Sequence, residues 1–411
     1  MSRAVAALAI LAVLGGLSLG MIAALAAGST ATPAGGSDHG AAVGSGPPSA
    51  PRDASSGLGG SAEPGLSAMP SVGPSPSPAP SVAPTPIASP SLVAAPLTGR
   101  LVSPAAASRH PLAVMVDDLG PARPQSGFSA ASIVWQAPAE GGIPRYMMVF
   151  QETVPADVGP VRSARDYYIA WAAELRALYA HAGGSPQALA TLRDRGQGQL
   201  VYDADEFRWG GSFRRVATRL PPHNLYTTGT QLRALVAATG ATDGPLAWPW
   251  TFAPDAPIRQ RPVGGRIEVS YLANVIRYDY DRASNSYLRS VTGEKAQIDP
   301  ATHQRVGPRN VIVMLMHFGP LNDGQPQKLR LEATVVGSGP AWISTNGVTL
   351  AGTWRKTSLT APTRFFDAAA RPVTLTIGQT FVQVMQTTDP VAFIAGTPAP
   401  PAALPVGLDP L

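Results

Sequence analysis

Residues 140–186 read EGGIPRYMMVFQETVPADVGPVRSARDYYIAWAAELRALYAHAGGSP, and this stretch decides the fold. The turn sequence GPVRSARD at 159–166 leads into a helix predicted over 163–179, because Ser163 followed by Asp166 is typical of a capping box. The apolar run at 178–181 predicts a strand, and Ser185-Pro186 predicts the start of the next helix. The stretch therefore predicts alternating strands and helices.

Two arginines, Arg162 and Arg165, stand at the start of the predicted helix. Backbone N–H groups are unpaired there and favour anions, and a guanidinium group can bind a carboxylate or phosphate with two parallel hydrogen bonds. The alternative is an internal network in which these arginines pair with Asp and Glu side chains and hold the loops. Glu140 is the acidic residue that we expect to pair with Arg145, Arg162 or Arg165 in that case.

The sequence HAGGSP at 181–186 carries a second group of candidate ligand-binding residues: His181, Gly183, Gly184 and Ser185. Adjacent glycines allow a tight turn or the close approach of a ligand. Ser185, His181 and Asp166 would suit a Ser-His-acid triad if the serine and histidine were hydrogen-bonded. The nucleophile elbow Gly-x-Ser-x-Gly is missing, however, and Ser before Pro more often caps a helix.

Residues 200–230 predict a long irregular segment that contains the last two candidates, His223 and Asn224. Long loops inside a folded body are usually functional or act as lids. His223 could join His181, Asp117 and Asp118 in a metal site, but no His-x-x-x-His spacing supports one. Alternatively, His223 fixes the loop through a backbone hydrogen bond. We expect no metal ion and no cofactor.

Two further alternatives concern chemistry on sugars. Glu140 and Asp166 could form a general acid and base for a glycan, although sequence spacing does not give the distance between their carboxyl groups. Trp354 could stack on a sugar, or it could belong to the core. Our main expectation is that Arg162, Arg165, His181 and His223 lie on one concave face with Glu140 and the Gly183-Gly184 turn, because strand ends and helix starts gather at one edge of a sheet.

Composition limits the classes of partner and chemistry. The 411 residues carry a net charge of +5, and all but three of the 31 basic residues are arginine. No basic run with interleaved aromatic residues occurs, so we expect no nucleic-acid partner. The chain has no cysteine, which excludes disulfides, thiolate metal sites and cysteine nucleophiles. Anionic polymers of the cell envelope remain possible partners.

The N-terminal quarter of the chain differs from the rest. Residues 4–27 are uncharged and apolar, which predicts a signal peptide or an uncleaved signal anchor in residues 1–28 that exports the body. Residues 29–95 are rich in Pro, Ser, Ala and Gly, which predicts a disordered tether. A disordered tail is predicted over 391–411. These features predict an extracytoplasmic protein that is membrane-tethered or secreted.

The folded body is predicted to have two parts. Strands mixed with helices predict an N-terminal α/β domain over 97–243, and alternating hairpin patterns predict a β-rich C-terminal domain over 262–390. The fold class is therefore α+β, with a mixed N-terminal domain packed against the C-terminal one.

Several of these motifs together resemble one family. GPVRSARD at 159–166, HAGGSP at 181–186, Pro222-His223-Asn224 and Trp354-Arg355-Lys356 are similar to the YerB-like lipoprotein family of bacterial envelope proteins. The resemblance covers roughly 97–390 and implies two domains packed as one body outside the membrane. It differs at the anchor, because lipoproteins of the family need a cysteine that this chain lacks. The family has no established activity.

Two functional hypotheses follow. The first is an envelope module that binds an anionic or glycopeptide ligand, or a protein partner, at the cell wall. The second is an envelope hydrolase that acts on a glycan or an ester through His181, Ser185, Glu140 or Asp166. Because no nucleophile motif is present, whether the protein is an enzyme stays open.

Overall fold

Long apolar runs form the centre of the fold. The computed structural model describes residues 91–292 and 296–398, and these belong to one compact unit. Strands over Leu112–Asp117, Ile133–Pro138 and Pro144–Phe150 are buried at every position. Strands that are apolar on both faces need a layer on each side of their sheet. The expected anchor in residues 1–28, most of the tether and most of the tail lie outside the described residues.

The N-terminal half of the described chain mixes strands with short helices. The helices are α1 (Pro104–Ala107), α2 (Asp166–Ala173), α3 (Pro186–Arg195) and α4 (Gly229–Ala238). The strands are β1 (Val93–Ala94), β2 (Leu101–Val102), β3 (Leu112–Asp117), β4 (Ile133–Pro138), β5 (Pro144–Phe150), β6 (Leu178–His181), β7 (Tyr202–Asp205), β8 (Arg214–Arg215) and β9 (Leu225–Tyr226).

The described C-terminal half is built from strands. They are β10 (Thr251–Ala253), β11 (Arg266–Ser270), β12 (Val275–Asp281), β13 (Ser286–Val291), β14 (Ile298–Asp299), β15 (Gln304–Arg305), β16 (Asn310–Met316), β17 (Phe318–Pro320), β18 (Leu331–Ala333), β19 (Gly337–Thr345), β20 (Val348–Lys356), β21 (Arg364–Asp367), β22 (Thr374–Thr376), β23 (Thr380–Gln386) and β24 (Val391–Ile394). The described body is strand-rich with few helices, which agrees with the predicted β-rich C-terminal region.

One ten-stranded sheet runs through both halves, in the order β21-β20-β19-β16-β23-β4-β5-β3-β6-β7. β23 pairs in parallel with β4, with Thr380 opposite Ile133. The sequence predicted that the C-terminal region would pack against the N-terminal one; instead, the two regions contribute neighbouring strands to the same sheet. The hydrophobic pattern identified the strands but could not show that β23 would pair with a strand almost 250 residues earlier.

Strand direction brings several strand ends to one edge. β16, β23, β4, β3, β6 and β7 are parallel, and β5 runs antiparallel between β4 and β3. The C-terminal ends of the parallel strands therefore gather at the same edge. In sheets of this kind that edge is where ligands commonly bind, and it carries Asp117 at the end of β3 and His181 at the end of β6.

Each face of the large sheet is covered. On one face α2 packs through Trp171, whose ring stacks on Trp135 of β4 at a centroid distance of 5.0 Å. On the other face lies a four-stranded sheet in the order β13-β12-β11-β24, and Tyr278 of β12 contacts Phe381 of β23 there. The antiparallel pairings of β11 with β12 and of β12 with β13 confirm the predicted hairpin pattern.

Segment boundaries differ from the sequence prediction at both ends of the body. Residues 91–95, which the sequence placed in the tether, include β1, which pairs with β2. Residues 391–394, which the sequence placed in the tail, form β24, which pairs with β11. No helix within residues 91–292 and 296–398 has the length and hydropathy of a membrane span.

The helix predicted over 163–179 is shorter in the structure. α2 begins at Asp166 with Arg165 at its N-cap, and no side chain caps it, so the predicted capping box at Ser163 was wrong. The reason is that residues 162–164 are hydrogen-bonded to neighbouring chain segments in an extended conformation. At its other end the chain turns at Arg176, which has a φ of 48°, and then enters β6.

Candidate functional site

The segment 159–165 is held between the ends of two strands. The Asp117 N–H of β3 donates to Pro160 O at 2.9 Å, and the Arg162 N–H donates to Met115 O at 2.9 Å. On its other side the Ala164 N–H donates to Gly183 O at 2.8 Å, just after β6. These bonds fix Arg162 at the strand-end edge of the sheet, so the predicted proximity of GPVRSARD and HAGGSP is present in the backbone.

Gly159 allows this segment to pass close to β9. A Cβ atom at Gly159 would lie 2.7 Å from the Tyr226 ring and 2.8 Å from Leu225 O, and its φ is 154°. The Val161 N–H donates to that same Leu225 O at 2.7 Å. The glycine therefore allows the close backbone approach that brings residues 159–162 next to His223.

Asp117, Arg162 and His223 form the first part of the site, which we call the Arg162–His223 corner. His223 Nδ1 lies 2.7 Å and Arg162 Nε lies 2.9 Å from the same oxygen, Asp117 Oδ2. The other oxygen of Asp117 accepts the Leu119 N–H at 3.1 Å. Burial favours a higher pKa for Asp117, but the His223 hydrogen bond and the Arg162 charge outweigh it and lower the pKa to about 2.

Several donors of this corner have no partner in the part of the chain that the structure describes. Neither terminal nitrogen of Arg162 nor Nε2 of His223 is hydrogen-bonded within residues 91–292 and 296–398. The Arg162 side chain is 20% exposed and that of His223 is 15% exposed. Asp117 therefore orients an arginine and a histidine side by side with N–H groups left to offer.

Glu140, Arg145 and Arg165 form the second part. Glu140 Oε2 contacts Arg145 Nη2 at 2.9 Å, and Glu140 Oε1 contacts Arg165. Arg145 also donates to Ser163 O at 3.2 Å. The internal network that the sequence offered as an alternative is thus present for both arginines, since Arg165 pairs with Glu140 and Arg162 pairs with Asp117. Arg145 lies directly opposite Asp117 in the β3–β5 pairing, so the two parts are neighbours.

Charge is unevenly balanced across these neighbours. Three guanidinium groups, from Arg145, Arg162 and Arg165, face two carboxylates, from Asp117 and Glu140. One positive charge is left in excess even when His223 is neutral. A partly exposed excess of guanidinium charge favours an anionic ligand.

His181 and Ser185 have structural contacts rather than the geometry of a catalytic pair. His181 is fully buried, with Nδ1 2.8 Å from Gly183 O and Nε2 2.7 Å from Asp203 Oδ1. Ser185 Oγ accepts the Ala188 N–H at 3.3 Å and caps α3, as the sequence predicted for the non-catalytic alternative. Both ring nitrogens of His181 are used, so the imidazole has no lone pair directed at Ser185.

The remaining predicted residues fall into two groups. Gly183 has a φ of 60°, and its N–H donates to Asp205 Oδ1 at 2.9 Å, while a Cβ at Gly184 would press on Ala164. The glycine pair therefore serves close packing of the chain on itself. Asn224 Oδ1 accepts Arg215 Nη1 at 3.2 Å and braces the loop before β9.

The alternatives that involve metals and sugars receive no geometric support. Among the described residues, no three His, Cys, Asp or Glu side chains are placed to hold one metal ion. Asp166 Oδ1 accepts the Thr191 hydroxyl at 2.7 Å, while Glu140 is bound to its arginines. Trp354 is buried, and its indole N–H donates to Leu315 O at 2.7 Å, which confirms the core alternative.

Sequence reasoning left two residues out of the candidate site. Asp117 joins Arg162 to His223, and Arg145 joins Glu140 to the segment at Ser163. The signal for Asp117 was its position at the end of a continuous apolar run, where a strand end exposes a side chain to the ligand edge. Arg145 was named only as one of three possible partners of Glu140, and it lies in a strand that is buried throughout, which gave no reason to expect it at the ligand edge.

Comparison with known families covers most of the described body. Residues 97–242 match the family model "Protein of unknown function (DUF3048) N-terminal domain", and residues 267–382 match its C-terminal domain. The chain is similar to "Putative lipoprotein YerB" of Bacillus subtilis strain 168, at 32% identity over 225 residues. That alignment covers 53% of this chain and 66% of the relative.

A solved structure shares the fold. The crystal structure of the YerB protein from Bacillus subtilis superposes with a TM-score of 0.64 at 24% sequence identity. The superposition covers 73% of this chain and 99% of the other. At this identity the match is evidence for the common fold alone.

Proposed function

Because this chain belongs to the YerB-like family with DUF3048 N- and C-terminal domains, we propose that it is a non-enzymatic binding module of the cell envelope. Its relative is named a lipoprotein, which supports a location at the envelope. The ligand we propose is an anionic envelope component, held by a carboxylate or phosphate group at the Arg162–His223 corner.

One observation carries this proposal. A single oxygen of Asp117 contacts both Arg162 and His223, so one buried carboxylate sets the orientation of two donors. The Arg162 terminal nitrogens and His223 Nε2 have no hydrogen-bond partner in the described chain. Oriented donors lose little side-chain entropy when an anion arrives, which favours binding.

The hydrolase hypothesis is weaker on the same evidence. A serine nucleophile needs a histidine within hydrogen-bond reach, and His181 spends both nitrogens on Gly183 and Asp203. Ser185 is buried and occupied as a helix cap. We therefore favour binding over catalysis for this edge of the sheet.

The membrane tether is part of the proposal. The apolar, uncharged run 4–27 and the Pro- and Ser-rich stretch that follows it are the features that support a signal anchor with a spacer. The apolar run and all of that stretch up to residue 90 lie outside the described residues. N-terminal sequencing of the mature protein tests this step, since a chain that begins near residue 28 would have lost its anchor.

Titration with inorganic phosphate tests the ligand chemistry. We expect phosphate to shift the NMR signals of the His223 ring nitrogens in the wild-type protein. Arg162→Ala should weaken this response about tenfold or more, because it removes the charged fork that would bind the anion. Arg162→Lys should give an intermediate response, since a lysine retains the charge but not the fork.

The control is Arg193→Ala, which changes an arginine with a 73% exposed side chain on α3. It should leave the phosphate response unchanged. Thermal melts separate binding from folding, because Arg162→Ala also removes an ion pair to a buried carboxylate and should cost about 1–3 kcal/mol. If Arg162→Ala lowers stability while folded protein still binds phosphate as wild type does, the corner is only an internal network.

A further inference from the structure

A second cleft lies at the far end of the ten-stranded sheet from the Arg162–His223 corner. It is bordered by β20, β21 and the segment before β10, and it has a volume of about 640 Å³. This volume lies within the range of small-ligand sites, roughly 300–1,000 Å³. Its walls combine aromatic, proline and arginine side chains: Trp248, Pro249, Arg355, Pro362, Arg364 and Phe366.

The two arginines of this cleft lack acidic partners. The Arg355 guanidinium lies 4.5 Å and that of Arg364 lies 5.4 Å from the Phe366 ring centroid. Neither forms an ion pair with any acidic residue of the described chain, and the residues that line the cleft include no Asp or Glu. Stacking on Phe366 holds the two guanidiniums near each other without neutralising them.

A buried ion pair supports the wall of the cleft. Lys356 is the last residue of β20. Its Nζ lies 2.7 Å from Glu174 Oε1 and donates to Ala361 O at 2.6 Å. Glu174 Oε1 also accepts the Thr363 hydroxyl at 2.6 Å, and Thr363 O accepts the Trp250 indole N–H at 2.8 Å. The loop that carries Ala361 and Pro362 is thereby tied to Glu174, the C-cap residue of α2, so the cleft is formed before any ligand arrives.

We propose that this cleft binds a sugar acid, meaning a sugar ring that bears a carboxylate or phosphate group. Arg355 and Arg364 would hold the negative group, and Trp248 would offer an aromatic face to the apolar face of the ring. The ring is preferred to a linear acid because two aromatic side chains and two prolines form most of the remaining lining, together with two alanines and Thr357. This site is separate from the Arg162–His223 corner and does not depend on its function.

Calorimetric titration of the purified full-length chain tests the proposal. The probes are digalacturonic acid for a carboxylated sugar, glucose 6-phosphate for a phosphorylated sugar and cellobiose as the neutral reference. We expect at least one of the two acids to bind and cellobiose to bind at least about tenfold more weakly. The acid that binds more tightly identifies which negative group the arginines prefer.

Variants then locate the binding site. Arg355→Ala and Arg364→Ala should each weaken binding about tenfold, and Trp248→Ala should do the same through lost stacking. Arg193→Ala is the control, because the Arg193 side chain on α3 is exposed, and this variant should bind the sugar acids as wild type does. The same titrations are repeated in the Arg162→Ala background, so that any sugar acid held at the Arg162–His223 corner is separated from sugar acid held at this cleft.

Three results would overturn the proposal. The first is the absence of heat with both sugar acids in a chain that melts cooperatively. The second is that Arg355→Ala and Arg364→Ala bind the sugar acid as tightly as wild type does. The third is that a tetra-aspartate peptide binds more tightly than either sugar acid. The Arg355→Lys variant guards against misfolding, because it retains the charge and should recover part of the affinity that alanine loses.

Discussion

Asp117, Asp118 and Glu174 are buried carboxylates, and each is compensated in a different way. Asp117 has two charged or chargeable partners and a lowered pKa. Glu174 is paired with buried Lys356. Burial raises the pKa of Asp118 against the opposing charges of Arg123 and Arg289, and its hydrogen bonds come mainly from neutral donors: Gln136, Tyr146 and Asn274. Of the three, Asp117 is the one whose pKa is lowered.

The lowered pKa of Asp117 predicts a loss of stability in acid. A folded pKa of about 2 against a usual value of 3.8 means that the ionised form is stabilised by the fold, by about 2 kcal/mol. This contribution is complete above pH 3.8 and disappears as the pH falls through about 2. The wild type should therefore lose about 2 kcal/mol more than Asp117→Asn between about pH 5 and pH 2.

Urea unfolding at each pH gives the free energies for this comparison. Asp194→Asn serves as the control, because Asp194 is 63% exposed and its one ion pair among the described residues is with exposed Arg193. It should follow the wild-type pH profile. Parallel profiles for wild type and Asp117→Asn would show that the Arg162 and His223 contacts do not stabilise the Asp117 carboxylate.

At the scale of elements, the segment 159–165 places the candidate site. It has extended hydrogen bonds on both sides, to β3 and to the residues that follow β6, and it touches β9 at Leu225. Gly159 is the point where side-chain volume is not tolerated. The position of Arg162 thus depends on a close backbone approach three residues earlier.

Gly159→Ala should displace this segment. The added Cβ would meet the Tyr226 ring and Leu225 O at under 3 Å, which should cost about 1–3 kcal/mol and lower the melting temperature by several degrees. Gly210→Ala is the matched control, since no atom lies within 4 Å of its Cβ position. Equal melting temperatures for the two variants would mean that β9 moves aside without cost.

Local patterns predicted the elements better than their ends. β3 and β5 were predictable from their apolar runs, and every residue in them is buried in the structure. The cap at Ser185 was predictable because Ser-Pro is a local signal. The start of α2 was predicted wrongly, because the hydrogen bonds of residues 162–164 to β3 and to Gly183 override the capping pattern. Tertiary contacts of this kind leave no trace in local spacing.

The candidate site was only partly predictable for the same reason. Arg162, His181 and His223 were singled out from their motifs, but Asp117 links Arg162 to His223 across 45 and 106 residues of chain. The cleft at Trp248 was not predicted, because Arg355 and Arg364 come together only through the pairing of β20 with β21. Residue types were readable from the sequence, whereas partners were not.

At the scale of the whole molecule, the shared sheet joins the two DUF3048 regions. β4 lies between β5 and β23, so residues 133–136 depend on the C-terminal region for one side of their hydrogen bonding. Side chains extend the link, because fully buried Arg289 donates to Gln136 Oε1 at 2.9 Å and to the Tyr146 hydroxyl at 3.0 Å. The regions therefore share backbone pairing and a buried polar network.

This arrangement predicts one cooperative unfolding transition for the body and no independent folding of its N-terminal half. A fragment of residues 91–260 would expose the β4 edge and would leave the polar groups around Asp118 without Arg289 and Asn274, which costs about 1–3 kcal/mol for each buried group left unpaired. Calorimetry and circular dichroism should show a sharp melt for residues 91–398 and none for 91–260.

Mixing 91–260 with 261–398 should restore part of the transition, because the missing β23 strand returns. A sharp melt of 91–260 alone would show that the N-terminal region folds without β23 and that the shared sheet forms by docking of two finished domains.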